Sequence, residues 1–362
     1  MKTLLFTIEY PPFHGGVANY YYNLTKHWPA NEKIAVLDNA NNRLLCGRLW
    51  PKWLPALFLL RQKIKQEKFD QIIVGQLLPL GIVAFLLSLF CRISFSVIIH
   101  GMELSFAQKK SRKKLISRLI LGRAKNIICA GSHTAELAKR FLGEKYSEKI
   151  HIVNPGVCAS PAVDQDLLEK IKTENDLSGK TVLFTVARLV KRKGHDMAIA
   201  AMKELAPGDA SVHYYIAGTG PDEVYLKEIA QGMNNVHFLG KISDEEKWAW
   251  LALSDIFIMP SRDIGGDFEG FGIVYLEAAM AGRPVIAGDS GGVRDAVIDN
   301  ETGLLIDPEN PSVIAEAILK LTNDPSLRKR MGEAGKARAE KEFSWNWQAR
   351  KICDFLLVKK TL

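Results

Sequence analysis

The chain has 362 residues, 47% of them hydrophobic and 24% charged, with a formal net charge of +8. That length exceeds what one compact core usually organises, so two or three domains are expected, and the composition is that of a globular protein rather than a disordered or fibrous one. The charge is uneven: residues 1–160 carry 23 Lys+Arg against 9 Asp+Glu, and residues 161–362 carry 25 against 31.

Short apolar, β-branched runs predict strands at 3–8, 34–37, 71–74, 95–99, 126–130 and 150–153, separated by helical patterns such as 17–27, 54–68 and 132–141. The start, Met-Lys-Thr-Leu-Leu-Phe-Thr-Ile-Glu-Tyr, reaches Glu9 and a double proline before any cleavage-like site, so no secretory signal is expected and a cytoplasmic location is. The most apolar run, 77–90, is followed by Arg92 and is too short to span a membrane, which predicts a buried helix. From Ser105 to Lys125 there are eight basic residues and no acid, with Leu115, Ile116, Leu119 and Ile120 at helical spacing. Such a helix suits an anionic membrane surface, with Lys109, Lys110, Arg112, Lys113 and Lys114 as contacts, or it is a solvated face over buried leucines. No reader motif accompanies the charge, so nucleic acid is not expected as a partner.

After Asn154-Pro155-Gly156 a polar stretch runs to Lys180, the expected domain junction. The alternation then restarts, with strands at 181–187, 212–217, 236–238, 256–259 and 285–286 and helices at 196–205, 223–231, 244–252 and 273–281. The predicted class is α/β: two facing Rossmann-like domains, 1–160 and 161–342, and an aromatic-rich C-terminal helix within 343–362 that crosses the junction back to the first domain. Five cysteines, Cys46, Cys91, Cys129, Cys158 and Cys353, are scattered without metal or disulfide spacing and read as reduced residues.

In parallel sheets, ligands bind beyond the carboxyl ends of the strands, so residues at strand-to-helix turns are the candidates for chemistry. Pro11-Pro-Phe-His-Gly15-Gly16 follows the first strand, and Gly15 and Gly16 open a helix there. His100 and Gly101 end an apolar strand, which puts the imidazole at the cleft edge or makes it a structural histidine. Arg188 and Lys193 bracket a strand end in an otherwise acidic half and together suit a diphosphate. Gly218 closes the next strand and shapes the cleft. The segment 269–277, Glu-Gly-Phe-Gly-Ile-Val-Tyr-Leu-Glu, sets two carboxylates around a glycine-flanked turn that opens a helix. Gly270 and Gly272 let backbone approach a ligand, and the first N–H groups of the helix favour an anion. Glu277 leans back toward the turn, where a ribose would sit, and Glu269 precedes it. No HExxH, His/Cys cluster or CxxC spacing points to a metal, and no GxGxxG motif is present.

These pieces in this order resemble glycosyltransferase family 4: Pro11-Pro-Phe-His-Gly-Gly-Val, His100-Gly101, Asn154-Pro-Gly-Val, Val186-Ala-Arg-Leu with Lys193-Gly194, Ala217-Gly-Thr-Gly-Pro, the Glu-x7-Glu from Glu269 to Glu277, Gly288-Asp-Ser-Gly-Gly-Val and Thr302-Gly-Leu-Leu. The pattern is most similar to that of the phosphatidylinositol mannosyltransferases, which use GDP-mannose on a membrane lipid. The resemblance implies the GT-B fold, a retaining, metal-independent mechanism without a cofactor, and a donor-binding second domain. It implies that Arg188 and Lys193 bind the diphosphate, Glu277 the ribose and Glu269 the transferred sugar, with backbone contacts from Gly270, Phe271, Gly272, Ile273 and Val274. Lys241 and Ile242 would line the base pocket, Gly16 would face the diphosphate, and His100 would lie near the anomeric centre. The acceptor would be lipid-linked or a glycan, at the cytoplasmic face of the membrane; a soluble transferase acting on a small molecule or polysaccharide and a sugar-nucleotide epimerase are the alternatives.

Overall fold

The structure, a computed structural model, describes residues 1–13, 15–47, 49–91, 93–205 and 211–357; His14 lies outside the described residues. The chain divides into two compact units, one formed by Met1–Gly156 with the helix Trp345–Leu357 and the other by Val157–Ser344.

The first unit is built on a six-stranded parallel sheet of β1 (Lys2–Phe6), β2 (Lys33–Leu37), β3 (Gln71–Val74), β4 (Ser94–Ile99), β5 (Ile127–Cys129) and β6 (Ile150–Ile152), in the order β2-β1-β3-β4-β5-β6. The second unit repeats the architecture with β7 (Thr181–Val186), β8 (Val212–Ala217), β9 (Val236–Gly240), β10 (Ile256–Met259), β11 (Val285–Gly288) and β12 (Gly303–Ile306), in the order β12-β11-β10-β7-β8-β9. Parallel strands covered by helices on both faces are apolar along nearly their whole length, which is why Ile72-Ile-Val and Ile256-Phe-Ile-Met are buried at every position; Gln71, also buried, is bonded to Ser94 and Ser96. Each strand order reverses once, between β1 and β3 in the first sheet and between β7 and β10 in the second. At those points adjacent strands send their connections to opposite faces and leave a crevice at their carboxyl ends.

The core of each unit lies on the two faces of its sheet. In the first unit one face packs Leu4, Phe6, Ile72, Val74, Val97 and Ile99 under the helices, and the other gathers Leu5, Ile73, Ile98 and Ile128 with Tyr20, Tyr21 and the C-terminal helix. That helix contributes Trp345, Ala349, Ile352, Cys353 and Leu356 to the cluster. Phe343, expected at its start, instead packs in the second unit against Phe271, ring centroids 5.7 Å apart.

Several local expectations need correction. The polar stretch before Lys180 holds a helix, Gln165–Glu174, capped by Asp164 and packed through Leu167, Leu168 and Ile171 on the second core. Three apolar side chains on one face sufficed, too few to stand out against the surrounding charge. The second sheet has a sixth strand, β12, read in the sequence only as a short motif. The apolar run 77–90 forms a helix only over Leu80–Phe90, and its end is not buried, since Phe90 is 85% exposed. The basic stretch is two helices, Met102–Gln108 and Ser111–Arg123, broken at Lys109 and Lys110. Its inner face is Ser117, Ile120 and Leu121, while Leu115, Ile116 and Leu119 are exposed.

Candidate functional site

The densest charge arrangement of the second unit sits at its switch point, where the connections after β7 and β10 meet. The first makes a short 3-10 turn, Lys191–Lys193, and passes through Gly194 at φ 73° into the helix His195–Glu204. A Cβ on Gly194 would lie 2.0 Å from the Pro260 carbonyl, so only glycine lets the two loops come this close. Arg262 completes the clamp: its backbone N–H donates to the Arg192 carbonyl at 2.9 Å and its guanidinium to Asp196 at 2.6 Å, both side chains being buried.

With the loops held this way, Lys193 and Arg192 converge on one oxygen, Oε2, of Glu269; the Arg192 contact is 2.8 Å. Arg192 also lies 3.0 Å from Asp267, a charge contact without hydrogen-bond alignment. Burial alone would raise the Glu269 pKa, but Lys193 and Arg192 outweigh it and hold the carboxyl below its ordinary range, so it is ionised. Arg188 is exposed and forms no ion pair among the described residues, leaving its guanidinium available for an anion. Gly270 leads into Phe271, which is buried, and Gly272 at φ 85° starts the helix Ile273–Met280, whose opening N–H groups at Ile273 and Val274 precede the first intrahelical bond.

Glu277, further along that helix, accepts from Lys247 at 2.7 Å. Burial would lower the Lys247 pKa, yet Glu277 and Asp244 more than offset it and raise the value. Lys247 belongs to the helix Asp244–Leu253 that follows β9, so this pair ties Glu277 to the segment of Lys241, which is exposed, and Ile242, which packs partly into the core. Gly218 N–H donates to the Gly240 carbonyl at 2.7 Å and fixes the neighbouring strand end. Arg188, Lys193, Glu269 to Val274 and Glu277 therefore gather on adjacent strand ends, with Gly218, Lys241 and Ile242 at the β8 and β9 end of the same sheet edge.

The first unit shows a smaller constellation at its own switch point. Gly15 and Gly16 open the helix Gly16–Lys26, and the place a Gly15 Cβ would occupy is 3.8 Å from Glu9 Oε2. His100 follows β4; its ring lies edge-on to Tyr20 at 5.0 Å, and its Nε2 is 3.3 Å from the Tyr21 hydroxyl, which donates to the Gly75 carbonyl at 2.6 Å. Burial lowers the imidazole pKa against the opposing charge of Glu103, whose carboxylate accepts from the His100 backbone N–H. Burial, with Glu103 nearby, raises the Glu9 pKa.

Two family profiles match the chain in tandem: Glycosyltransferase Family 4 over residues 14–160 and Glycosyl transferases group 1 over residues 168–338. The chain belongs to glycosyltransferase family 4. Similar proteins include the GDP-mannose-dependent monoacylated alpha-(1-6)-phosphatidylinositol monomannoside mannosyltransferase of Corynebacterium glutamicum, 28% identical over 98% of this chain and 97% of that one. The GDP-mannose-dependent alpha-(1-6)-phosphatidylinositol monomannoside mannosyltransferase of Mycobacterium tuberculosis is 27% identical over 98% of both. Among solved structures, Anabaena Alr3699/HepE in complex with UDP and glucose superposes with a TM-score of 0.80 at 19% identity, over 98% of this chain and 99% of that one, which establishes the GT-B fold.

Sequence reading of this family-4 chain singled out the two glutamates and two cations but missed the groups that set their state. Arg192 stands in the basic run Lys191-Arg192-Lys193, where nothing in local spacing distinguishes it from Lys191, which is exposed. Lys247 lies 30 positions from its partner Glu277, whereas Glu103 is only three positions from His100, in the first turn of the next helix. The only available signal was the presence of acids near strand ends.

Proposed function

We propose that this chain transfers a hexose, mannose from GDP-mannose, to a lipid-linked or glycan acceptor at the cytoplasmic face of a membrane. The observation that carries the reading is the clustering of Arg188, Lys193, Glu269 and Glu277 around the glycine-flanked helix start of the second unit. Arg188, Lys193 and the N–H groups of Ile273 and Val274 match a diphosphate, Glu277 matches ribose hydroxyls, and Glu269 matches hydroxyls of the sugar. In the proposed step, the bond from the anomeric carbon to the diphosphate oxygen breaks and the acceptor oxygen bonds to that carbon. The acceptor proton goes to the leaving phosphate, on the same face, so configuration is retained. Arg188 and Lys193 carry the charge growing on the leaving group, which makes the step metal-independent. The first unit serves the acceptor, and His100, at the end of β4, is assigned to that task.

GDP-mannose as donor and a lipid as acceptor are supported by what the names of the Corynebacterium and Mycobacterium relatives state of those proteins. Peripheral membrane attachment is supported by the two-helix segment Met102–Arg123, which carries exposed Phe106, Leu115, Ile116 and Leu119 together with Lys109, Lys110, Arg112, Lys113 and Lys114. No described helix is long and apolar enough to cross a membrane. A thermal-shift series with GDP-, UDP- and ADP-sugars tests the donor, because a ligand binding only the folded state raises Tm with occupancy. Stabilisation by GDP-mannose above the others, followed by an α-mannosyl product seen by NMR, is expected. Stabilisation by none, or an inverted product, refutes the reading.

A further inference from the structure

We propose that Arg192 is a positioning residue for the donor's hexose: it keeps hold of Glu269 while Lys193 passes from Glu269 to the diphosphate. This rests on the functional reading above and assigns a task to a side chain that the reading does not use. Arg192 and Lys193 share a single carboxylate oxygen of Glu269, and the other, Oε1, accepts from no donor among the described residues. Their remaining contacts differ. Lys193 has one carboxylate partner, whereas Arg192 is also paired with Asp267 and has its backbone pinned by Arg262.

An arriving diphosphate therefore competes for the two cations unequally. Lys193 is a point charge on a flexible stem and exchanges one anion for another at the site; Arg192 presents a planar fork already engaged by two carboxylates and stays. Once Lys193 has moved, Glu269 is still held and ionised by Arg192, and Oε2 joins Oε1 as an acceptor for sugar hydroxyls. The quartet of Arg192, Lys193, Asp267 and Glu269 is neutral without donor. Transfer of Lys193 leaves one cation with two carboxylates, a local negative charge that favours a neutral, hydroxyl-donating hexose. Arg192 thus couples recognition of the sugar to capture of the diphosphate.

The test compares binding of GDP and GDP-mannose by calorimetry to the full chain and to Arg192→Gln, Arg192→Lys and Lys193→Gln. The expected result is that Arg192→Gln binds GDP within about twofold of the unmodified chain but loses about tenfold of the extra affinity that mannose confers, since one charge-assisted contact is removed. Arg192→Lys restores part of that loss, and Lys193→Gln weakens both ligands. Equal loss of GDP and GDP-mannose in Arg192→Gln would show a merely structural role and overturn the proposal, as would unchanged affinity for both. A chain that binds neither ligand before substitution refutes the GDP-mannose reading instead. Should Arg192→Gln fail to fold, Arg192→Lys decides alone: an unchanged ratio of the two affinities together with unchanged turnover overturns the proposal, and a reduced ratio supports it.

Discussion

Replacing Arg262 with methionine should destabilise the second unit more than any substitution in the glutamate site itself. Arg262 is 3% exposed and Asp196 8%, and the pair, joined at 2.6 Å, links the connection after β10 to the first turn of the helix after β7. Removing the guanidinium leaves a buried carboxylate without a counter-ion, which costs about 3–5 kcal/mol. For a unit of this size each kcal/mol moves the midpoint by about 2–4 °C, so differential scanning calorimetry should show the second unit's transition falling by roughly 6–20 °C. The pair is not fully satisfied, because Asp196 Oδ1 and Arg262 Nε have no hydrogen-bond partner among the described residues. The double variant Asp196→Leu/Arg262→Met should therefore recover most of the loss, since replacing both charges with apolar groups is often neutral. A fall of less than about 2 °C for Arg262→Met, or a double variant no more stable than the single one, refutes the reasoning.

Glu277→Gln should weaken GDP-mannose binding about ten- to hundredfold, the worth of a charge-assisted hydrogen bond, and calorimetric affinity within twofold of the original contradicts the ribose assignment. Arg188→Ala should leave Tm unchanged, because the side chain is exposed, and lower kcat about 10²- to 10³-fold; steady-state kinetics with unaltered kcat would remove Arg188 from the site. Burial lowers the His195 pKa from 6.5 to about 4, against the opposing Arg188 carbonyl, so the folded state favours the neutral ring. Its stabilisation is full above pH 6.5 and is lost as pH falls from 6.5 toward 4, because the unfolded chain takes the proton first. Denaturant titrations across that window should show the decline, and His195→Asn should flatten it. Changing Lys109, Lys110, Arg112, Lys113 and Lys114 to Gln should abolish co-sedimentation with phosphatidylserine vesicles, each cation being worth about 1 kcal/mol at an anionic surface. The unmodified chain should detach as salt is raised, and binding insensitive to salt would disprove an electrostatic contact.

Much of the architecture was legible in the residues. Uninterrupted β-branched runs such as Ile72-Ile-Val and Val97-Ile-Ile announce strands buried on both faces, and glycines at 15, 16, 194, 218 and 272 mark where those strands hand over to helices. These are local properties, carried by backbone freedom and by a side-chain period of two or 3.6 residues. The same locality explains why Glu269 and Glu277 stood out, being bound to one turn and one helix. The short helix Gln165–Glu174 and the strand β12 were lost because few apolar positions mark them.

The partners of the two glutamates were a tertiary decision. Arg192 and Glu269 are 77 positions apart, and they meet because β7 and β10 are neighbours at the point where strand order reverses. Nothing in either loop encodes that adjacency. The basic helix makes the same point: its spacing allows Leu115, Ile116, Leu119 and Ile120 to form one face, and packing buried only Ile120 of the four. The sequence by itself determined where each side chain stands along its element. Only the folded sheets decided which charges neutralise one another and which apolar groups are left outside, because those outcomes depend on strand order and on which helix face the sheet accepts.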